Sequence, residues 1–427
     1  MRRFPAATLN DLIPHLQSAL GIVVIVGLAW ALSENRRAVP WRMIAAGLGM
    51  QAAVGLLLLK LPPARNVLFG LNGAVGTLAD ATRAGTGFVF GFLGGGPLPF
   101  AVTDGGNLVT LAFGVLPLII VICALSALLW HWRILPLIVG AMAFLLRKTL
   151  GIGGAVGLGA AATVFLGNVE GSLVIRPYLA RMTRTELFIL MTVGLSVIAG
   201  TVFVLYATIL KNVLPGALGH LLVASMMSLP AGIMLARVMV PGPADTDHTG
   251  KTGHEYRSSM DAVTDGTEAG LRIYLQIVAM LIVIVALVTL ANDILAHLPQ
   301  VFGAPLTLER MLGWLFAPLV WLYGIPWREA PLAGSLLGMK IVLTELFAYL
   351  QMAKLPAGSL DPRSTQIMVY ALCGFANLAS VGILIAGMSA LLPGRRDEIV
   401  PLALRALVSG ALASGLTGCM IGLLPLT

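Results

Sequence analysis

Charge is scarce in this chain. Of 427 residues, 19 are Asp or Glu and 27 are Lys or Arg, 11% in all. Soluble domains carry about 25% charged residues. With 58% hydrophobic residues and a mean hydropathy of +0.93, a water-soluble fold lacks the polar residues to cover itself. The shortage excludes a soluble domain and predicts a polytopic membrane protein. Cysteine is nearly absent as well. Cys123, Cys373 and Cys419 lie far apart in apolar runs, which excludes a disulfide framework or a cysteine metal site; they read as packing residues. The six histidines form no H-x-x-x-H pair, so no metal and no cofactor is expected. Gly151–Gly154 and Gly157–Gly159 are glycine-rich but fit neither GxGxxG nor a P-loop. The net charge of +8 comes without a basic block interleaved with aromatics, so nucleic acid is not an expected partner.

What is present is a series of long apolar runs. A membrane crossing needs roughly 20 such residues, and in hydrocarbon only helices keep every backbone group bonded within one segment. The runs predict about eight crossings: Leu16–Ser33, Met43–Leu59, Gly105–Trp130, Leu187–Leu210, Asn212–Ala236, Ile273–Asn292, Gln366–Leu392 and Ala406–Leu426. The first reads as a span rather than a signal peptide, because its polar lead is long and no A-x-A site follows. Pro62–Leu93 is broken by Arg65, Asp80 and Arg83 and reads as an interfacial helix. The polar stretch 241–270 reads as a soluble loop. Arg36, Arg37, Arg42, Arg176, Arg181, Arg184, Lys251, Arg257, Arg272, Arg395 and Arg396 fall on one face if the spans alternate. That face is then cytoplasmic and the N-terminus outside.

Two glutamates sit where an apolar chain should not put them. Glu170 closes the uncharged run 149–169, and Glu345 is the one charged residue in 341–353. A carboxylate at mid-depth costs on the order of 3 kcal/mol or more, so it ordinarily faces a cavity and marks a function. Each lies in a piece too short or too polar to cross and too apolar to be a loop. These pieces, about 148–180 and 329–354, read as two re-entrant hairpins. Each precedes a span rich in small and polar residues: Gly194, Ser196, Gly200 and Thr201 after the first, Gly374, Asn377, Ser380 and Gly382 after the second. Units about 180 residues apart, entering from opposite faces, are inverted repeats of the kind that place a secondary transporter's site at the midplane.

Each candidate has a plainer reading. Glu170 could pair with Arg176 as structure, and Glu345 with Lys340, although a separation of five residues suits a helix pair poorly. Asn377 and Ser380, three apart, share a helix face or flank an unwound turn, and a mid-membrane Asn often joins two helices. Against these stands the clustering. Asn168 and Glu170 offer hydrogen bonds at a glycine turn. Glu345 can accept charge-assisted bonds from a diol such as a ribose, and Phe375 can stack on a planar ring.

At these residues the chain resembles the concentrative nucleoside transporters. Their G-Q-T/S-E appears as Gly167-Asn168-Val169-Glu170, followed by Arg176-Pro177. Their G-x-K-x-x-x-N-E-F-V-A-Y appears as Gly338, Lys340, Glu345, Ala348 and Tyr349. Their A-L-C-G-F-A-N-x-x-S is intact at Ala371–Ser380. The likeness runs from about residue 100 to the C-terminus. It implies an all-α homotrimer with an elevator-like transport unit, divided into N-terminal scaffold spans and interfacial helix (1–104) and a transporter core (105–427). It implies that Gly167, Asn168, Val169 and Glu170 face the base of a nucleoside and that Glu345, Asn377 and Ser380 hold its sugar, with Phe375 and Val202 lining the pocket. Asn168 and Val169 depart from the family's Gln and Thr/Ser, which alters base preference. Thr344 stands where the motif has Asn.

The sodium-ligand positions of the family fall on Thr163 and Val197, and a valine side chain cannot ligate a cation. A proton, with Glu170 or Glu345 as carrier, is therefore the expected coupling ion. The expected protein is a proton-coupled nucleoside importer of a bacterial inner membrane and not an enzyme, since no nucleophile–base pair meets the acids. The alternatives are sodium coupling, or a nucleobase or C-nucleoside such as pseudouridine as the cargo.

Overall fold

A computed structural model describes residues 9–100, 110–246, 256–301 and 303–424. Among them the regular elements are helical, and the one β pairing is an isolated bridge between Val301 and Ala304. The chain opens with α1 (Leu9–Ala31), α2 (Trp41–Lys60) and α3 (Pro62–Phe90). Pro62 and Pro63 start α3, where their missing N–H groups cost nothing. Next come α4 (Leu118–His131), α5 (Ile134–Leu150), α6 (Gly154–Leu166), α7 (Asn168–Val174) and α8 (Arg176–Leu179). A capping box of Thr183 and Glu186 opens α9 (Arg184–Ser196), followed by α10 (Gly200–Leu210) and α11 (Ala217–Met239). The second half holds α12 (Ser259–Ala296), α13 (Leu308–Leu322), α14 (Ala330–Val342), α15 (Glu345–Lys354), α16 (Pro362–Leu372), α17 (Leu378–Leu391) and α18 (Arg396–Leu423).

Seven helical segments among the described residues are long and apolar enough to cross a membrane. The expected eighth, Gln366–Leu392, is two half-length helices, α16 and α17, parted at Cys373–Asn377. The expected span Leu187–Leu210 is parted in the same way at Val197–Ala199. The two breaks satisfy each other. The Phe375 N–H donates to the Val197 carbonyl at 3.3 Å, and Ser225 Oγ accepts from the Ile198 N–H at 3.2 Å. Backbone freed from a helix in an apolar interior needs such partners.

Arg184, Arg395 and Arg405 meet at one end of the molecule. Arg184 on α9 and Arg405 on α18 both bind Glu34 from the α1–α2 connection, at 2.9 and 2.5 Å. Arg395 donates to the Met182 carbonyl. The carboxylate of Glu186 accepts from the N–H and hydroxyl of Thr246, and the N–H groups of Gly153 and Ala155 bind the carbonyls of Ala244 and Thr246. So α6 starts at this end. The opposite end is marked by the far terminus of α18, where Arg363 donates to the carbonyls of Gly422 and Gly324. There Arg328 pairs with Asp361 at 2.6 Å, and α14 starts just beyond, at Ala330. Two helical hairpins thus enter from opposite ends: α6–α7 turning at Gly167, and α14–α15 turning at Leu343–Thr344.

One expectation needs correction. The stretch 241–270 is not one loop. Residues 241–246 are bound as above, residues 247–255 lie outside the described set, and from Ser259 the chain is helix. Ser258 caps it by accepting from the Asp261 N–H at 3.1 Å, and Glu268 and Arg272 pair one turn apart. The Asp, Thr and Ser that look loop-like are the solvated start of a 38-residue helix. The division at residue 104 falls among residues outside the described set, as does the start of the expected span Gly105–Trp130. On its near side, α1 packs on α18 and α2 on α11.

Candidate functional site

Four helices begin around one cavity of about 310 Å3. They are α7 at Asn168, α10 at Gly200, α15 at Glu345 and α17 at Leu378, and residues from each N-terminus line the space. A helix N-terminus presents N–H groups without intrahelical partners and the positive end of the helix dipole. That explains how two acids are tolerated in an apolar chain, since Glu170 and Glu345 lie in the first turns of α7 and α15. The volume falls in the range of small-molecule sites, about 300–1,000 Å3.

Glu345 is the more constrained acid. It is buried. Its Oε1 accepts from the Tyr206 hydroxyl at 2.7 Å, and its Oε2 accepts from Asn377 Nδ2 at 2.8 Å. Asn377 is fixed in turn, because its Oδ1 caps α17 by accepting from the Ser380 N–H at 2.7 Å. Thr344 caps α15 by accepting from the Phe347 N–H at 3.2 Å, so the threonine at the motif's Asn position serves as an N-cap. A carboxylate has about four lone-pair directions. Its bonds to Tyr206 and Asn377 set the orientation of the directions that remain.

The suggested Glu345–Lys340 pair is not what holds Lys340. That side chain is fully buried, and its ammonium donates to the Ala371 carbonyl at 3.0 Å and to Ser414 Oγ at 2.6 Å. Ala371 lies in the last turn of α16, so Lys340 ties the second hairpin to the helix break that carries Asn377.

The first hairpin's tip is organised differently. Gly167 sits at φ +120°, a conformation that a side chain would strain, and a Cβ there would lie 2.8 Å from Glu170 Oε2. Asn168 turns its amide oxygen onto Gly194 of α9, so closely that any Cβ at Gly194 would overlap it. That oxygen is buried without a hydrogen bond. Val169 packs its methyls into the notch left by Gly387 on α17. Glu170 is open to the cavity. No ion pair joins it to Arg176 among the described residues, and Arg176 is itself exposed.

Gly167, Asn168, Val169, Glu170, Val202, Glu345, Phe375, Asn377 and Ser380 all line this one cavity. Thr163 does not. It is buried between α6 and α7, and its hydroxyl donates to the Gly159 carbonyl at 2.8 Å. Val197 is buried at the first helix break. Sequence reasoning missed Tyr206, whose ring packs on Tyr349 with centroids 5.2 Å apart. It also missed the wall supplied by α12, from Ile273 to Ile284. Tyr206 lies four residues past Val202, hence on one helix face with it, which is the signal that was available.

Comparison with known proteins gives consistent matches along the chain. Residues 20–93 and 220–422 match the family models described as the N- and C-termini of Na+ dependent nucleoside transporters. Residues 112–213 match one described as nucleoside recognition. The nucleoside permease NupC of Helicobacter pylori is 35% identical, over 96% of this chain and 97% of its own length. Sodium/nucleoside cotransporter 1 of Rattus norvegicus is 29% identical, over 96% of this chain and 64% of its own. Among solved structures, CNTnw in an inward-facing, substrate-bound state superposes with a TM-score of 0.87 at 35% identity, covering 96% of this chain and 97% of that one.

Proposed function

This chain belongs to the concentrative nucleoside transporter family, a family of membrane transporters and not of enzymes, and from that premise we propose that it is a proton-coupled nucleoside importer working by elevator-like alternating access. The observation that carries the reading is the cavity: four half-helix N-termini from two oppositely inserted hairpins and two broken helices, with a pre-oriented carboxylate on one side. Glu345 accepts from the ribose hydroxyls, and Asn377 and Ser380 complete the sugar's partners. Glu170 faces the base, and Phe375 and Val202 supply apolar contact. In this arrangement the two hairpins are re-entrant, and the arginine-rich end is cytoplasmic in a bacterial inner membrane.

Proton coupling is supported at the two positions that would otherwise serve sodium. Val197 offers no side-chain oxygen, and its carbonyl already accepts from Phe375. The Thr163 hydroxyl is turned onto its own helix. Glu170 and Glu345 are then the groups able to carry a proton with the cargo. The elevator rests on the packing. The main partner of α12 is α4, through a close approach at Gly266 and Gly270 to Ile120 and Cys123. The first hairpin, the broken helices, α11 and α18 pack chiefly on one another, while α14 of the second hairpin packs chiefly on α13. The outward side chains of α12, including Ile282, Val283, Leu287 and Ile294, are exposed and suit lipid and the contacts of a homotrimer.

The test is uptake of uridine and adenosine by proteoliposomes under an inward proton gradient, then a sodium gradient, then neither. Accumulation driven by the proton gradient alone is expected. Accumulation that needs sodium supports the second reading, which the sodium cotransporter among the relatives motivates. Competition by free nucleobases or pseudouridine that exceeds competition by uridine would move the cargo to those compounds.

A further inference from the structure

The cavity's polar groups are unevenly spread. On the first hairpin tip, Asn168 presents its oxygen to Gly194 and Val169 its methyls to Gly387, which leaves Glu170 as the residue of these three that is exposed. On the second side, Glu345, Tyr206 and Asn377 are joined to one another. A nucleobase has a polar edge of two or three atoms, and a single carboxylate acceptor cannot meet its donors and its acceptors together.

The facing wall belongs to α12, which lines the cavity with Ile273, Gln276, Ile277, Met280, Leu281 and Ile284. Gln276 is the one polar residue of these six, and the one polar residue anywhere from Leu275 to Val288. Its side chain is exposed to the cavity, and no hydrogen bond joins it to another described residue. A primary amide in a membrane-spanning helix without a partner costs a few kcal/mol, and polar groups at that depth ordinarily bind a neighbour or a ligand. Here no neighbour takes it.

We propose that Gln276 reads the nucleobase, a role that rests on the nucleoside reading above. The amide carries an acceptor beside two donors. It can pair with any base edge that sets a donor next to an acceptor: N3–H with O4 of uracil, the 4-amino group with N3 of cytosine, the 6-amino group with N1 of adenine. Rotation of the amide by half a turn exchanges its donor and acceptor, so one side chain serves oxo and amino bases alike. That breadth offsets the tip, where Asn168 and Val169 direct their side chains elsewhere.

The experiment is uptake of uridine, cytidine and adenosine by the full chain in proteoliposomes, comparing wild type with Gln276→Ala and Gln276→Glu. For Gln276→Ala, half-saturating concentrations rise about 3- to 10-fold for all three nucleosides, the effect of one lost hydrogen bond, with maximal rates kept. Gln276→Glu, an acceptor only, sets an oxygen against O4 of uracil, N3 of cytosine and N1 of adenine alike and raises half-saturation about 10-fold or more for all three, whereas 1-deazaadenosine, which has C–H in place of N1, stays within about 3-fold of its wild-type value. A changed adenosine-to-1-deazaadenosine ratio is not produced by a structural role. Wild-type half-saturation and ratios in both variants overturn the assignment, as does an equal fall in maximal rate with the ratios unchanged. Wild-type protein that carries no nucleoside overturns the underlying reading instead, so the two failures are told apart.

Discussion

Glu345 has both carboxylate oxygens held by the protein, one by Tyr206 and one by Asn377, and this determines what its replacements do. Glu345→Gln is nearly the same size but replaces one oxygen with a donor, which then faces the donor of Tyr206 or Asn377. Charge-assisted hydrogen bonds contribute about 1.5–3 kcal/mol each. Uptake of uridine is therefore expected to fall at least about 100-fold, while size-exclusion chromatography shows an unchanged oligomer. Tyr206→Phe removes one partner and leaves the acid, its charge and Asn377 in place. It is expected to raise the half-saturating concentration about 3- to 10-fold, visible in the same assay. If both variants transport as wild type does, Glu345 is a structural acid and not a ligand group.

At the level of elements, the first hairpin is held by the fit of its tip to neighbouring helices. Val169 fills the notch at Gly387, so a Cβ at Gly387 would overlap its methyls. Gly387→Ala is expected to push the tip off α17 and abolish uptake. Val169→Ala alone is expected to be mild, and the pair Gly387→Ala with Val169→Ala to recover most uptake, a coupling that a double-mutant cycle measures. The arginine-rich end makes a second case. Hydrogen bonding from Arg184 holds the Glu34 carboxyl below the usual carboxylate range. A depressed carboxyl contributes stability above its unfolded pKa, about 4.3, and loses it as pH falls through the folded value. Glu34→Gln is thus expected to lower the melting temperature at neutral pH, with the gap to wild type narrowing only as pH falls below about 4.3 and shrinking in high salt. Hydropathy made the continuous spans legible, and the placement of the two acids made the hairpins legible. The break at Val197–Ala199 was not, because Val197 and Ile198 are as apolar as their flanks, and an unwound turn beside Asn377 was one of two readings its spacing to Ser380 allowed. What parts those helices is the long-range bonding of Phe375 to Val197 and of Ser225 to Ile198. Composition misled at the start of α12, where Ser258 caps a helix whose first turns are polar because they are solvated. Within the site, motif positions pointed to the lining residues but not to their directions, and Asn168 and Val169 make their closest contacts with glycines of other helices.

At the scale of the whole molecule, the cavity has walls from two separately packed groups of helices. Glu170, Glu345, Asn377 and Ile383 come from the hairpins and broken helices, whereas Gln276 and Ile284 come from α12, whose main partner is α4. Alternating access by an elevator requires that the first group slide past the second, so that no contact between the two persists through the cycle. A fixed-wall mechanism, with only a hairpin tip opening, keeps those contacts throughout. Ile284 on α12 and Ile383 on α17 both face the cavity, and neither offers a polar group to the cargo. In a background where Cys123, Cys373 and Cys419 are replaced by alanine or serine, Ile284→Cys with Ile383→Cys joined by a short bis-methanethiosulfonate cross-linker, which forms a disulfide with each cysteine as methanesulfinate leaves, ties one group to the other. The elevator requires that uptake stop on cross-linking and return on reduction, with nucleoside still binding to the tied protein in a thermal-shift assay. Uptake that continues at the untied rate in fully cross-linked protein would show that α17 does not travel relative to α12.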